Sequence, residues 1–330
     1  MWTKKRVLTI IVAMLSALLL AVAALVFVYG PTLTAMLTGT ARFAGTQTPK
    51  RYSTTVLALA EQGIYADSEE FEEAKARAKE AAKQADTLYD VYPALEDAVK
   101  AAGGKHSRLI EPGNPNLGWA IGQKTEPAVS VEGGVAVATV PGVDRHSDVQ
   151  GYADTLATGL ASARDGGACG TVVDLRGNDG GDMGPMVAGL SSLLPDGTVL
   201  EFVSRTNTSQ VTVEGNSVSG GGTPLTTTGG KWEAPVAVLV DGDTASSGEA
   251  TMLSFRGLER SQSFGSPTAG YASANMVYDF PDGSLLILTI AKDKARTGEE
   301  FAEDPVQPDV ETDASLEQAK QWLATKHGCQ

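Results

Sequence analysis

The longest unbroken apolar run in the chain stands almost at its start: Val7 to Val28, 22 residues without a charge. As a helix rising about 1.5 Å per residue it would be roughly 33 Å long, enough to cross a bilayer core of about 30 Å. Lys4, Lys5 and Arg6 precede it and the next charge is Arg42. This predicts a single-pass signal anchor, with the N-terminus cytoplasmic and the rest of the chain outside. Ala21-Val22-Ala23 has the form of a cleavage site, but Leu25 to Val28 carry the apolar run past it. The anchor therefore reads as uncleaved over residues 1–30.

Beyond it the pattern changes twice. Apolar residues thin out after Leu37, so residues 31–53 read as a tether. Residues 54–104 are rich in Ala, Glu and Lys, good helix formers, and predict a small helical bundle. Asp67 with Glu70 suggests a capping box, Pro93 suits a first helical turn, and Gly103-Gly104 a helix end. From residue 105 to 330, short apolar strands ("VAVATV", "GTVVDL", "PVAVLV", "SLLILTIA") alternate with helical spacings ("QGYADTLATGLASAR", "MGPMVAGLSSLL"). That alternation predicts an α/β core with a substantially parallel sheet.

Charge narrows the function. All 40 acidic residues lie beyond residue 43, against 22 of the 26 basic ones, a balance of −18. Nucleic-acid binding needs a basic surface and is excluded on this ground. Such a balance favours encounter with cationic ligands, and it equally serves solubility alone. The two cysteines, Cys169 and Cys329, allow one disulfide outside the cell, but sequence does not give their distance. Together with three scattered histidines they form no zinc pattern.

Two strand-to-helix turns carry candidate chemistry. In the first, Asp174 to Gly184, Gly177, Gly180 and Gly181 let backbone N–H groups approach a bound atom. Neither nucleotide-binding glycine motif is present. The second is "DGDTASSGEA", Asp241 to Ala250, between an apolar strand and a helix. A serine there lies near the unpaired N–H groups of a helix N-terminus, which stabilise an oxyanion. Helix capping by Thr244, Ser246 or Ser247 would explain the same residues, and GxSxG is absent. A serine nucleophile needs a base. His327 lies in a polar tail and His146 in a loop, whereas His106 stands at the junction of the helical and α/β parts.

Together these segments resemble the C-terminal processing (tail-specific) serine peptidases. The matches are Asp174-Leu175-Arg176-Gly177-Asn178-Asp179-Gly180-Gly181, Thr244-Ala245-Ser246-Ser247-Gly248-Glu249, "GSPTAGYASAN" (Gly265 to Asn275) and "EDPVQPDVE" (Glu303 to Glu311). The resemblance implies a ClpP/crotonase-like α/β peptidase core with a mixed sheet and flanking helices. It makes Ser246 the nucleophile, with the backbone N–H groups of Gly180 and Ser247 as oxyanion hole. Ser–Lys members carry a lysine where this chain has Tyr271. A phenol is a poor base at neutral pH, so the base falls to His106, with Lys292 and Lys294 as outside candidates.

Gly180 to Gly197, "AGYASAN" and Lys105-His106-Ser107 also resemble the nisin-resistance branch, which implies a membrane anchor, a small helical domain, a Ser–His dyad and no PDZ module. The expected substrate is a cationic lanthipeptide such as nisin, cleaved near its C-terminus, with no cofactor or metal. Asn178, Gly181, Tyr271, Asn275 and Glu303 are candidates for binding or orienting the peptide. The rival expectations are a peptidase that trims protein tails and a non-catalytic peptide-binding relative.

Overall fold

The computed structural model describes residues 4–113, 126–144 and 146–329. In chain order come helices α1 (Lys4–Thr38), α2 (Pro49–Ala60), α3 (Glu69–Gln84) and α4 (Tyr92–Gly103), then strands β1 (Arg108–Ile110), β2 (Ala128–Glu132) and β3 (Val135–Thr139). Next are α5 (Val149–Asp165), β4 (Gly170–Asp174), α6 (Met183–Gly189), and strands β5 (Gly197–Ser204), β6 (Thr208–Glu214), β7 (Ser217–Ser219) and β8 (Leu225–Thr226). The chain continues with β9 (Val236–Val240), α7 (Ser247–Phe255), β10 (Ser261–Gly265), β11 (Ser273–Asp279) and β12 (Leu285–Lys294). It closes with β13 (Glu300–Phe301), β14 (Val310–Glu311) and α8 (Ser315–His327). Two compact units result: Met1–Leu117 with Asn275–Ile290, and Gly118–Ala274 with Ala291–Gln330.

In the first unit α1 is long and apolar enough to cross a membrane, and its apolar window is wholly unburied. The helix does not stop at the end of the apolar run but continues to Thr38, with Ala35 buried. The segment expected as a tether, 31–53, is thus built into the unit: Ala41 and Tyr52 are fully buried, and Thr48 caps α2. Helix α3 begins one residue later than the Asp67–Glu70 pattern suggests. Ser68 is its N-cap and accepts the Phe71 N–H at 3.1 Å. Phe71, Ala74, Ala78 and Ala82 form its buried stripe, at the spacing that one helical face requires. The helices enclose a core with Val56, Leu59, Leu95 and Val99, which Tyr278, Phe280, Leu286 and Leu288 complete from far along the sequence. Within this unit β1 pairs antiparallel with Leu285–Ile287.

The second unit is built on a six-stranded mixed sheet in the order β14-β10-β9-β4-β3-β2. Five strands are parallel and β2 runs antiparallel at the edge. Every residue of β9 is buried, as expected of a central parallel strand covered on both faces. Ala136, Ala138, Val173, Val236, Val238 and Val240 face a core shared with α5, α6 and α7. The alternate positions Val135, Val137, Val172, Ala237 and Leu239 face Ala319 and Leu323 of α8. A meander of β5 to β8, extended by Ala291–Lys294 of β12, forms a second sheet in this unit. Cys169, just before β4, and Cys329, just after α8, form a disulfide with Cα atoms 5.4 Å apart.

Candidate active site

Strands β4 and β9 are neighbours and parallel, so the turns that leave their C-terminal ends lie side by side. Asn178 joins them. It is fully buried. Its Nδ2 donates to Val140 O (2.7 Å), its Oδ1 accepts the Gly180 N–H (2.9 Å), and its carbonyl accepts the Ala245 N–H (2.8 Å). Asp241 makes a second tie, its carboxylate accepting the N–H groups of Gly177 and Thr244 at 3.0 Å. The Thr244 hydroxyl donates to Leu175 O at 2.9 Å.

Backbone conformation then distinguishes one serine from the other. Ser246, half-buried, has φ 53° and ψ −118°, the one positive φ of a non-glycine residue among those described. Such a conformation costs on the order of 1–3 kcal/mol and persists where its surroundings enforce it. Here they do. The Ser246 N–H is held by the Glu249 carboxylate at 2.8 Å. Gly180 packs so closely that a Cβ there would come within 2.8 Å of Ser246 Cβ. Ser247 begins α7, so its N–H has no acceptor within the helix. Its hydroxyl donates to Gly181 O at 2.7 Å, fastening the helix to the glycine turn. The two serines therefore differ: one is a strained residue on a strand-to-helix turn, the geometry of a nucleophile elbow without its glycine signature, and the other is a fastening.

Glu249 is the residue that pattern reading undervalued. It is completely buried. One carboxylate oxygen accepts the Ser246 and Tyr271 N–H groups, both at 2.8 Å; the other accepts the Gly270 N–H at 2.9 Å and the Thr268 hydroxyl. Burial pushes its pKa up, and those four hydrogen bonds oppose the rise. Thr268 in turn exchanges hydrogen bonds with the backbone of Val306. The segments matched by sequence at 265–275 and 303–311 are thus tied through Glu249 to the serine turn. Tyr271 contributes its backbone N–H to this clamp. Glu303 is half-buried, three residues before Val306. Asp293, 1% exposed, is a second carboxyl without a sequence signal, raised well above its ordinary pKa by burial and then by the charge of Glu249.

Gly180 and Gly181 both have positive φ, 101° and 109°. A Cβ on Gly181 would strike Val143 O at 2.0 Å. The Gly180 N–H is engaged by Asn178 Oδ1, so it serves another acceptor only by sharing. Lys292 and Lys294 are paired, with Glu300 at 3.6 Å and Glu201 at 2.9 Å, and the partnership with Glu201 raises the pKa of Lys294.

His106 and Asn275 belong to the first unit. His106 lies two residues after Gly104, the positive-φ residue that caps α4. Next to it, Ser107 is fully buried, and its Oγ bonds the Thr289 hydroxyl (3.2 Å) and N–H (2.9 Å), which pins the turn. Burial, with smaller contributions from Arg108 and Lys105, pushes His106 down to about 4. Among the described residues, the buried side-chain oxygen of Asn275 has no hydrogen-bond partner. His146 is exposed beside Asp144, and His327 lies edge-on to Trp322 at 4.5 Å in α8.

The model of peptidase family S41 matches residues 139–312, more than half of the chain. The nisin-resistance protein of Lactococcus lactis subsp. lactis is 35% identical over 283 residues, 84% of this chain and 88% of that protein. Among solved structures, a lipoprotein from Streptococcus agalactiae aligns with TM-score 0.74 at 25% identity, over 86% of this chain and 99% of that one. The photosystem II D1 C-terminal processing protease aligns with TM-score 0.55 at 14% identity, over 81% and 94%, a likeness of fold.

Proposed function

Because this chain belongs to peptidase family S41, we propose that it is a membrane-anchored serine peptidase whose nucleophile is Ser246 and whose base is His106. The observation that carries this reading is the strained Ser246, held against Gly180 by the Glu249 clamp at the start of α7. Ser246 Oγ attacks a peptide carbonyl carbon while its proton passes to the His106 imidazole. The C–N bond then breaks as that proton is delivered to the leaving amine, and water releases the acyl group by the same relay. A histidine held near 4 is neutral at pH 7, the form that can take up a proton. The Ser247 N–H and the N–H groups of the Gly180–Gly181 turn form the oxyanion hole, where one donor typically contributes about 2.7–4 kcal/mol. Asn178 holds this turn in place, while Asn275, Tyr271 and Glu303 are assigned to the peptide.

The substrate we propose is a lanthipeptide of the nisin kind, cut near its C-terminus. The similarity to a nisin-resistance protein supports this, as does an acidic chain that attracts cationic peptides. The apolar helix would place the active domain outside the membrane and concentrate it with membrane-bound peptide on one surface. Product masses after incubating the protein with nisin and with linear C-terminal peptides test the reading. Cleavage of nisin, lost by at least about 10³-fold in Ser246→Ala and nearly so in His106→Ala, supports it. Retained turnover in Ser246→Ala overturns the nucleophile, and cleavage of linear tails alone overturns the substrate.

A further inference from the structure

One side chain locks the end of the apolar span to the loop that follows it. Pro31 lies inside α1. Having no N–H, it leaves the carbonyl of Phe27, four residues earlier, without its helical donor. Arg51 supplies the missing bond: Nη2 donates to Phe27 O at 2.7 Å, and Nη1 to Thr46 O at 2.7 Å and Ala44 O at 3.0 Å. Its guanidinium also sits 3.7 Å from the centre of the Phe27 ring. The loop consequently runs back along α1. The Arg42 N–H bonds Thr34 Oγ1 at 2.9 Å, and a Cβ on Gly45 would meet the Phe27 ring at 3.7 Å.

The position of that loop matters because of where Phe27 is. Leu8 to Val28 as helix covers about 31 Å, the depth of a bilayer core. Phe27 therefore marks the far rim of the span, and the loop returns to it. It brings two exposed cations, Arg42 and Lys50, together with the N-terminal, positive end of α2. Tyr29, 57% exposed, stands at the same level. No carboxylate precedes Glu61, whereas residues 61–330 hold all 40 carboxylates against 20 of the 26 Lys and Arg. A chain that an anionic bilayer would repel is thus basic only where it meets the bilayer.

We propose that Arg42 and Lys50, presented by the Arg51–Phe27 lock, form a cationic collar that binds the headgroups of anionic phospholipids at the rim of the span. The inference rests on the membrane-anchor reading and is independent of the peptidase site. Each such cation near an anionic surface strengthens attraction roughly fivefold, less at high salt.

The test uses the full chain reconstituted in bilayers containing spin-labelled phosphatidylglycerol or phosphatidylcholine, comparing how strongly each lipid is held at the protein. Lys4→Gln, Lys5→Gln and Arg6→Gln together remove the cations at the opposite end. In that background the preference for phosphatidylglycerol should persist, and adding Arg42→Gln and Lys50→Gln should reduce it at least about fivefold. No preference in the first variant, or an unchanged preference in the second, overturns the collar. Extraction of the protein by alkaline carbonate overturns the anchor itself, so the two failures are told apart.

Discussion

The two turns at the ends of β4 and β9 solve the same backbone problem with different residues. Both must bend from strand to helix through positive φ. After β4 the bend falls on Gly177, Gly180 and Gly181, where it is free of strain. After β9 it falls on Ser246. Where only backbone atoms are needed, glycine serves. At Ser246 the strain is accepted, and a buried carboxylate with four hydrogen bonds holds it. Ser246 is also the N-cap of α7 and closes a capping box with Glu249, but an ordinary cap needs no positive φ, so capping alone leaves its conformation unexplained.

That contrast can be broken most severely from the glycine side. Gly180→Ala puts a methyl 2.8 Å from Ser246 Cβ and 3.0 Å from Ala245 O, at φ 101°. Peptide cleavage should fall by about 10²-fold or more, the size expected when reacting groups are displaced by about 1 Å. Near-normal kcat/KM in this variant would separate the glycine turn from the chemistry. Glu249→Gln replaces one acceptor oxygen with a donor that faces N–H groups. It should destabilise by about 1–3 kcal/mol in denaturant titration and lower kcat more than it raises KM.

The pH profile is the next test. With His106 at about 4, the acid limb of kcat/KM should lie near 4, well below the 6.5 of an exposed histidine. Stability follows the same group. The unfolded chain binds the proton first, so the His106 contribution is full above about 6.5 and is lost as pH falls from there toward 4. His106→Gln should flatten that slope in thermal melts across the window. The smallest effect is expected from Ser247→Ala, which gives up one hydrogen bond to Gly181 O, about 0.5–1.5 kcal/mol, while keeping the backbone N–H. Loss of activity as large as in Ser246→Ala would mean that the fastening is itself catalytic.

Much of this site was legible in the chain because it is local. The parallel sheet and the two turns follow from apolar runs and short motifs that depend on neighbours in sequence, whereas the preference for Ser246 over Ser247 came with the family resemblance. What was not legible depends on contacts across the fold. Glu249 looked like a motif letter until four donors from 246, 268, 270 and 271 converged on it. Residues 31–53 looked loose because nothing in their composition shows that Arg51 repairs the helix at Pro31. Tyr278 and Phe280 gave no sign of packing against helices more than 170 residues earlier, since core membership has no period along the chain. Asp293 stands between Lys292 and Lys294 in a charged run that reads as solvated surface, yet it is 1% exposed.

The disulfide has a consequence of another kind. Cys169 and Cys329 are 160 residues apart in sequence, and both turns of the site lie between them. Everything from β4 through α8 is therefore a covalent ring. A proteinase that cuts an exposed loop inside it opens the ring without releasing a fragment, so the turn bearing Ser246 and the turn bearing Gly180 stay in one molecule. Such nicked protein would run at full mass without reductant and as two pieces with it.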